Sequence, residues 1–352
     1  ATIASLYPDA PVYTSLVDWN KIPQSIQKDR IKTSFMQKIP FAKKLYKALL
    51  PIYPLAFESF DLSDFDLVIS STTRFAKAII TKPSTVHICY INSSPRFLWD
   101  EEVKKEYVPS FPAFIFSPIL SWLKRWDKVA SSRPDFYISN SQNVRSKVKK
   151  FYNRESDVIH PFADINYYNT SQVHNWQLKS QEYLLVVSRL VKWKKIDLAI
   201  KAASILNKKL IIVGTGPDQK RLMQIAKESN GNVEFELKVT RERLRQLYQN
   251  CHALIVTQEE DFGISAVEAQ ACGAPVIAYN SGGQQEIVQN NKTGTFFKSQ
   301  TVKDLKDAIA ASFNVQYEKS ACRKNSLKFS QAVFVKSIQN KVKECLRTET
   351  SR

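Results

Sequence analysis

Glycine is scarce in this chain, with eight in 352 residues and none before Gly214. The first half therefore carries no glycine-rich loop. The first glycine turn, Gly214-Thr215-Gly216-Pro217, is not GxGxxG, which excludes the dinucleotide fingerprint there. Histidine is scarcer still: His87, His160, His174 and His252 have no partners at matched spacing, so neither a metal centre nor a Ser-His-Asp arrangement is supported. Five scattered cysteines (Cys89, Cys251, Cys272, Cys322, Cys345), with no CxxC pair, argue against a disulfide framework or zinc site and for a reducing compartment. The most apolar stretch, residues 111–123, holds Pro112 and Pro118 and is too short to span a bilayer. Ala1, not Met, opens the sequence, which reads as a truncated or processed start.

What is abundant is positive charge, +18 in all. The densest stretch, residues 28–50, holds seven basic side chains (Lys28, Arg30, Lys32, Lys38, Lys43, Lys44, Lys47) interleaved with Phe35, Phe41, Leu45 and other apolar residues. A solvated face is the first reading of such a pattern and an anionic membrane surface the second. No nucleic-acid module signature accompanies it, which disfavours a nucleic-acid partner. The length suggests about two domains, and 43% hydrophobic with 24% charged residues is ordinary for folded protein.

Apolar runs at 12–16, 66–70, 86–91 and 136–139 read as strands of a first domain, with a basic helix at 144–152 behind Ser141, which suits an N-cap and equally a place in the cleft. Asp64-Phe65-Asp66 is formally DxD but sits at a strand entrance, where Asp is a common turn residue. Residues 166–181 turn polar and aperiodic, as a linker does. Beyond them, strands at 183–187, 210–213, 233–237, 252–256, 275–279 and 293–297 alternate with helices, including 196–206 and 241–250. A last helix spans 332–346. This alternation predicts α/β domains at 1–170 and 178–330, with 331–352 returning to the first.

The chain is organised around residues 259–283, EEDFGISAVEAQACGAPVIAYNSGG. A buried strand precedes them, Gly263 opens a helix, Gly273 closes it, and Ser281-Gly282-Gly283 turns into the next. Free backbone N–H groups and the positive end of the helix suit an anion near Gly263 and Ile264. Glu260 and Glu268, eight residues apart, can border that spot and hold hydroxyl groups.

Glu260-x7-Glu268, with Phe262-Gly263-Ile264 and the trailing ACGAPV and GG, resembles the nucleotide-sugar site of the family-4 retaining glycosyltransferases. In that family the first Glu contacts the donor sugar and the second the ribose. Arg189 and Lys194 match an Arg and a Lys on the donor's diphosphate, Lys238 a basic residue near the phosphates, and Gly214 a shared donor-side turn. Tyr90, Arg96, Phe97 and Trp99 match a loop of the mannosyltransferase-like branch, but Asn92 stands where that loop has His. Asn cannot exchange a proton near pH 7.

The resemblance implies the GT-B fold, two Rossmann-like domains facing across a cleft. It implies metal-independent, retaining transfer of a hexose, mannose-type favoured, from a nucleotide-diphosphate sugar to a glycan or lipid-linked acceptor. The donor would be a GDP-sugar first and a UDP-sugar second, with no tightly bound cofactor. The setting would be cytoplasmic, peripheral on the inner membrane face. Asn92 motivates the alternative of a catalytically impaired homologue that binds a nucleotide sugar or a partner enzyme. Relatives begin with a strand and a glycine-rich loop for which this sequence has no counterpart, and that reading favours a fragment.

Overall fold

The computed structural model describes residues 1–46, 48–107, 113–171 and 183–350. Lys47, His174 and positions 172–181 of the expected linker lie outside them. The chain divides into two compact units. One comprises Ala1–Asn140, Val144–Ile159 and the chain from Val335 on, and the other comprises Ser141–Asn143 and His160–Phe334.

In the first unit, β1 (Val12–Thr14) and β2 (Ile31–Thr33) form a parallel pair. A four-stranded parallel sheet follows in the order β3 (Leu67–Thr72), β4 (Val86–Ile91), β5 (Phe136–Ser139), β6 (Asp157–Val158). All six residues of β4 are buried, as expected of a strand covered on both faces. His87 lies inside it. Its Nε2 is 2.8 Å from Ser70 Oγ, and burial pushes its pKa down to about 3, so it stays neutral.

The deepest polar node of this unit is the Lys77–Asp127 ion pair, both side chains fully buried. The second oxygen of Asp127 accepts from Trp99 Nε1 at 2.9 Å and Tyr152 Oη at 2.7 Å. One carboxylate thus ties together the helices Ala113–Ala130, Arg96–Trp99 and Gln142–Tyr152. A buried pair of this kind tolerates loss of neither partner.

Among its described residues the basic stretch forms no continuous amphipathic element. It consists of 3₁₀ turns at Lys28–Arg30, Phe35–Lys38 and Leu50–Ile52, with β2 between the first two. Among the described residues no helix is long and apolar enough to cross a membrane.

The second unit is built on six parallel strands: β7 (Tyr183–Val187), β8 (Lys209–Val213), β9 (Val233–Glu236), β10 (Ala253–Val256), β11 (Val276–Tyr279) and β12 (Gly294–Phe297). Their spatial order is β12-β11-β10-β7-β8-β9. Counted within the unit this is 6-5-4-1-2-3, the doubly wound order, and its direction reverses between β7 and β10. Alternate residues feed two cores. Leu185, Ile211, Leu254 and Val276 join one, while Leu184, Val186, Leu210, Ile212, Ile255 and Ile277 join the other. Period-two alternation with both faces apolar is why these strands read as unbroken hydrophobic runs.

The second unit begins at His160, and residues 160–171 are anchored to it. Ala163, Ile165 and Tyr168 are buried in its core. Ala163 N–H donates to the Phe329 carbonyl, and Arg323 donates to the carbonyls of Ile165 and Tyr168. The segment looks polar in sequence because its apolar residues are spaced by polar ones that bond to backbone.

Candidate functional site

The switch between β7 and β10 places the loops that follow these strands side by side. After β7 the chain passes Arg189, which is exposed, and makes a 3₁₀ turn, Lys192–Lys194. After β10 it runs through Thr257, Gln258, Glu259 and Glu260 to Gly263. Lys194 and Glu260, far apart in sequence, meet here as an ion pair. Ligands of open α/β sheets bind at this crevice, outside the carboxyl ends of the strands.

Oε1 of Glu260 takes two donors, Lys194 Nζ and Gln258 Nε2. Among the described residues Oε2 has no hydrogen-bond partner. A carboxylate is acceptor-only, so whatever meets Oε2 must bring an O–H or N–H. The Lys194 ammonium also lies 4.4 Å from the Trp193 ring centroid. The backbone around Glu260 is pinned: Gly283 N–H donates to its carbonyl at 2.9 Å, and Asn143 Nδ2 to the same oxygen at 3.2 Å. Ser141 Oγ donates to the Asp261 carbonyl.

Gly263 follows with φ +115° as the N-cap of the helix Ile264–Ala271. That φ favours glycine, and a Cβ there would also have to displace the Gln284 amide. No side chain caps this helix, which leaves its first N–H groups for an anion. Ile264 is 45% exposed beside them. Gly273, φ +85°, ends the helix as expected.

Glu268 lies farther along the helix in a different setting. Tyr248 Oη donates to its Oε2 at 3.1 Å. Burial pushes its pKa up to about 7, opposed by the Tyr248 hydrogen bond and the nearby Arg241 guanidinium. Near neutrality its protonated and ionised forms therefore coexist.

The remaining predicted residues are placed as follows. Gly214, φ +136°, sits where a Cβ would lie 1.9 Å from the Ser188 carbonyl oxygen, so it lets the turn after β8 close on the end of β7. Lys238 is exposed just after β9. Asn92 belongs to the first unit, where its Nδ2 donates to Ser71 Oγ at 3.2 Å and its carbonyl accepts from Asn140 Nδ2 at 2.8 Å. His160 does have a partner, at no sequence-readable spacing. Its Nε2 is 2.7 Å from Glu286 Oε2, and Glu286 also receives the backbone N–H of Gln142 at 2.8 and 2.9 Å.

Sequence reasoning missed Gln258, Tyr248 and Gln284. Gln258 had one signal, a polar residue in the loop at the carboxyl end of a strand. Tyr248 and Gln284 had none, because each acquires its neighbour only through the fold. Among the described residues no group of three or more His, Cys, Asp or Glu side chains is placed to hold a metal ion.

Residues 170–329 match the family model of the glycosyl transferases group 1. The chain is 30% identical over 192 residues to a D-inositol 3-phosphate glycosyltransferase of Mycobacteroides abscessus, covering 50% of this chain and 43% of that protein. It is 31% identical over 150 residues to a GDP-mannose-dependent alpha-(1-6)-phosphatidylinositol monomannoside mannosyltransferase of Mycobacterium tuberculosis, covering 38% and 39%. An uncharacterized glycosyltransferase of Methanocaldococcus jannaschii is 22% identical over 319 residues, 87% of this chain and 83% of its own. The chain thus spans less than half of the first of these relatives. Among solved structures, sucrose-phosphate synthase from Thermosynechococcus elongatus superposes with a TM-score of 0.73 at 18% identity, over 96% of this chain and 88% of that one. Anabaena HepE in complex with UDP superposes with a TM-score of 0.70 at 18% identity, over 97% and 94%. The fold is that of the GT-B glycosyltransferases, and the sequence matches support the group 1 family.

Proposed function

We propose that this protein is a glycosyltransferase that moves a hexose, mannose-type favoured, from a nucleotide-diphosphate sugar to a glycan or lipid-linked acceptor. The observation that carries the reading is the Glu260 carboxylate, held through Oε1 by Lys194 and Gln258 with Oε2 open, beside an uncapped helix N-terminus. The two halves of that arrangement suit the two halves of a sugar diphosphate. Lys194, Arg189 and the N–H groups at Gly263 and Ile264 neutralise the diphosphate as it leaves, with Lys238 adding charge nearby. Glu260 accepts a sugar hydroxyl and stabilises the positive charge that develops at the anomeric carbon. Glu268 holds the ribose, and the turn at Gly214 supports the donor side.

In this reading the C1–O bond to the diphosphate breaks and its electron pair leaves with the phosphate oxygen. The acceptor oxygen bonds to C1 on the same face, and its proton passes to the leaving group. Configuration is retained. The fixed positive groups named above do the work that a metal would otherwise do, so chelator is expected to leave turnover unchanged. Turnover is expected from the native Asn92 form, and activity that appears only in Asn92→His would instead support an impaired homologue.

Either base fits the family match: a GDP-mannose-dependent enzyme is among the relatives and a UDP complex among the structural neighbours. The test is thermal unfolding of the protein with GDP, UDP, ADP and their sugar conjugates. A ligand at 100 times its dissociation constant adds about 2.7 kcal/mol to the native state, a shift of several degrees. Stabilisation by one nucleotide family names the base. A cooperative transition that none of them moves removes the proposal.

The membrane-facing part of the reading rests on residues 28–50. Phe41, held at φ +57°, is 71% exposed beside Lys43 and Lys44, and Phe35 and Leu45 are exposed as well. Apolar side chains standing out among lysines suit the inner membrane face. Cosedimentation with anionic but not zwitterionic vesicles, weakened by Lys43→Glu with Lys44→Glu, is the expected result. Equal recovery with both vesicle types would oppose it.

A further inference from the structure

Gln258 is nine-tenths buried, and its amide nitrogen is bonded. Its Nε2 donates to Glu260 Oε1, and its Oε1 lies 3.3 Å from Thr257 Oγ1. The amide orientation follows from the chemistry, because a carboxylate cannot donate and the NH₂ group must face it. The chain of contacts continues away from the site. Thr257 Oγ1 donates to the Lys194 carbonyl, Gln300 Nε2 donates to the Thr257 carbonyl at 2.8 Å, and Lys195 Nζ donates to Gln300 Oε1 at 2.6 Å. The loop that carries Gln258 is therefore tied down next to it, and the amide is aimed at one oxygen of Glu260.

Glu260 Oε1 has two holders, and they differ in what a donor does to them. Lys194 is a cation that the incoming diphosphate attracts, so the donor competes with Glu260 for it. Gln258 is neutral and faces the carboxylate alone. Once Lys194 turns to the diphosphate, Gln258 is the side chain left on Oε1 among the described residues.

We propose that Gln258 is the positioning residue that keeps Glu260 Oε2 turned toward the donor sugar while Lys194 serves the diphosphate. The inference rests on the donor-site reading above and adds a division of labour within it: Gln258 governs affinity for the sugar half of the donor and leaves the nucleotide half alone.

The readout is the ratio of two dissociation constants, nucleoside diphosphate over the matching nucleotide sugar, measured by titration calorimetry with UDP and UDP-glucose and with GDP and GDP-mannose. Gln258→Met keeps the length and removes the donor. It should leave nucleoside diphosphate affinity within about twofold and lower the ratio by about 10-fold, the effect of losing one hydrogen bond to a charged group. Gln258→His, which retains a ring N–H, should recover most of the ratio. Gln258→Leu, apolar and unable to donate, is the second loss variant if the Met form does not fold.

A ratio unchanged in the loss variants overturns the inference. So does a matched loss of both affinities, which would make Gln258 a structural support of the whole site. Failure of the wild-type protein to bind either nucleoside diphosphate overturns the donor-site reading itself, and the inference with it.

Discussion

Glu260 and Glu268 are one motif in sequence and two environments in space. Glu260 sits in a loop, half-buried, against a lysine and a glutamine amide that fix one of its oxygens. Glu268 sits inside a helix, against a tyrosine hydroxyl, with its pKa raised to about 7 by burial. The first is an anion beside a cation, suited to charge that develops during a reaction. The second is a carboxyl balanced between its two forms, suited to a neutral diol. Spacing alone could not have told these apart. The difference comes from which elements lie next to each residue: the β7 loop beside Glu260, and the helix Arg241–Asn250 beside Glu268.

The contrast can be broken in order of expected effect. Glu260→Gln should lower sugar transfer by about 10²–10³-fold, the scale of removing a preorganised electrostatic contact. The same change should tighten binding of the free nucleoside diphosphate, because Lys194 no longer has a carboxylate to hold it. Glu268→Gln should weaken nucleotide binding by about 10-fold through one lost hydroxyl contact, with the sugar contribution intact.

Stability against pH separates the two residues again. A carboxyl whose folded pKa is raised favours the folded protein while it is protonated. That contribution is complete below its ordinary value of about 4.5 and is lost as pH rises through about 7. Unfolding scans at pH 5 and pH 8 should therefore show Glu268→Gln gaining on wild type at the higher pH. Parallel behaviour of the two proteins would mean that Glu268 is not held neutral. The smallest effect is at Gln284, fully buried against Gly263 with neither amide atom bonded among the described residues. Gln284→Leu removes that unmet need and should raise stability by about 1–2 kcal/mol, read from denaturant midpoints.

The fold of the second unit was legible because its strands are continuous apolar runs and the helix between them is punctuated by Gly263 and Gly273. Strand boundaries at 183–187 and the helix at 241–250 fall where periodicity put them. The first unit was less so. β2 is three residues inside a basic stretch whose interleaved apolar residues suggested one amphipathic element, and local pattern cannot show that β1 is its partner. The segment after His160 reads as the start of a linker because the buried Ala163, Ile165 and Tyr168 stand among polar neighbours. At the site, Glu260 and Gly263 were singled out by residue type and spacing, and Lys194 by the family resemblance. Gln258 did not, since a glutamine means little until the carboxylate it faces is known.

The most direct test of the account is the affinity of Lys194→Met for the nucleoside diphosphate that stabilises the wild-type protein. The Lys194–Glu260 pair at the β7/β10 switch is the centre of the proposed donor site. Loss of a charge-assisted phosphate contact there should weaken binding by about 10- to 100-fold. Wild-type affinity in a folded Lys194→Met protein would place the diphosphate elsewhere and contradict the account.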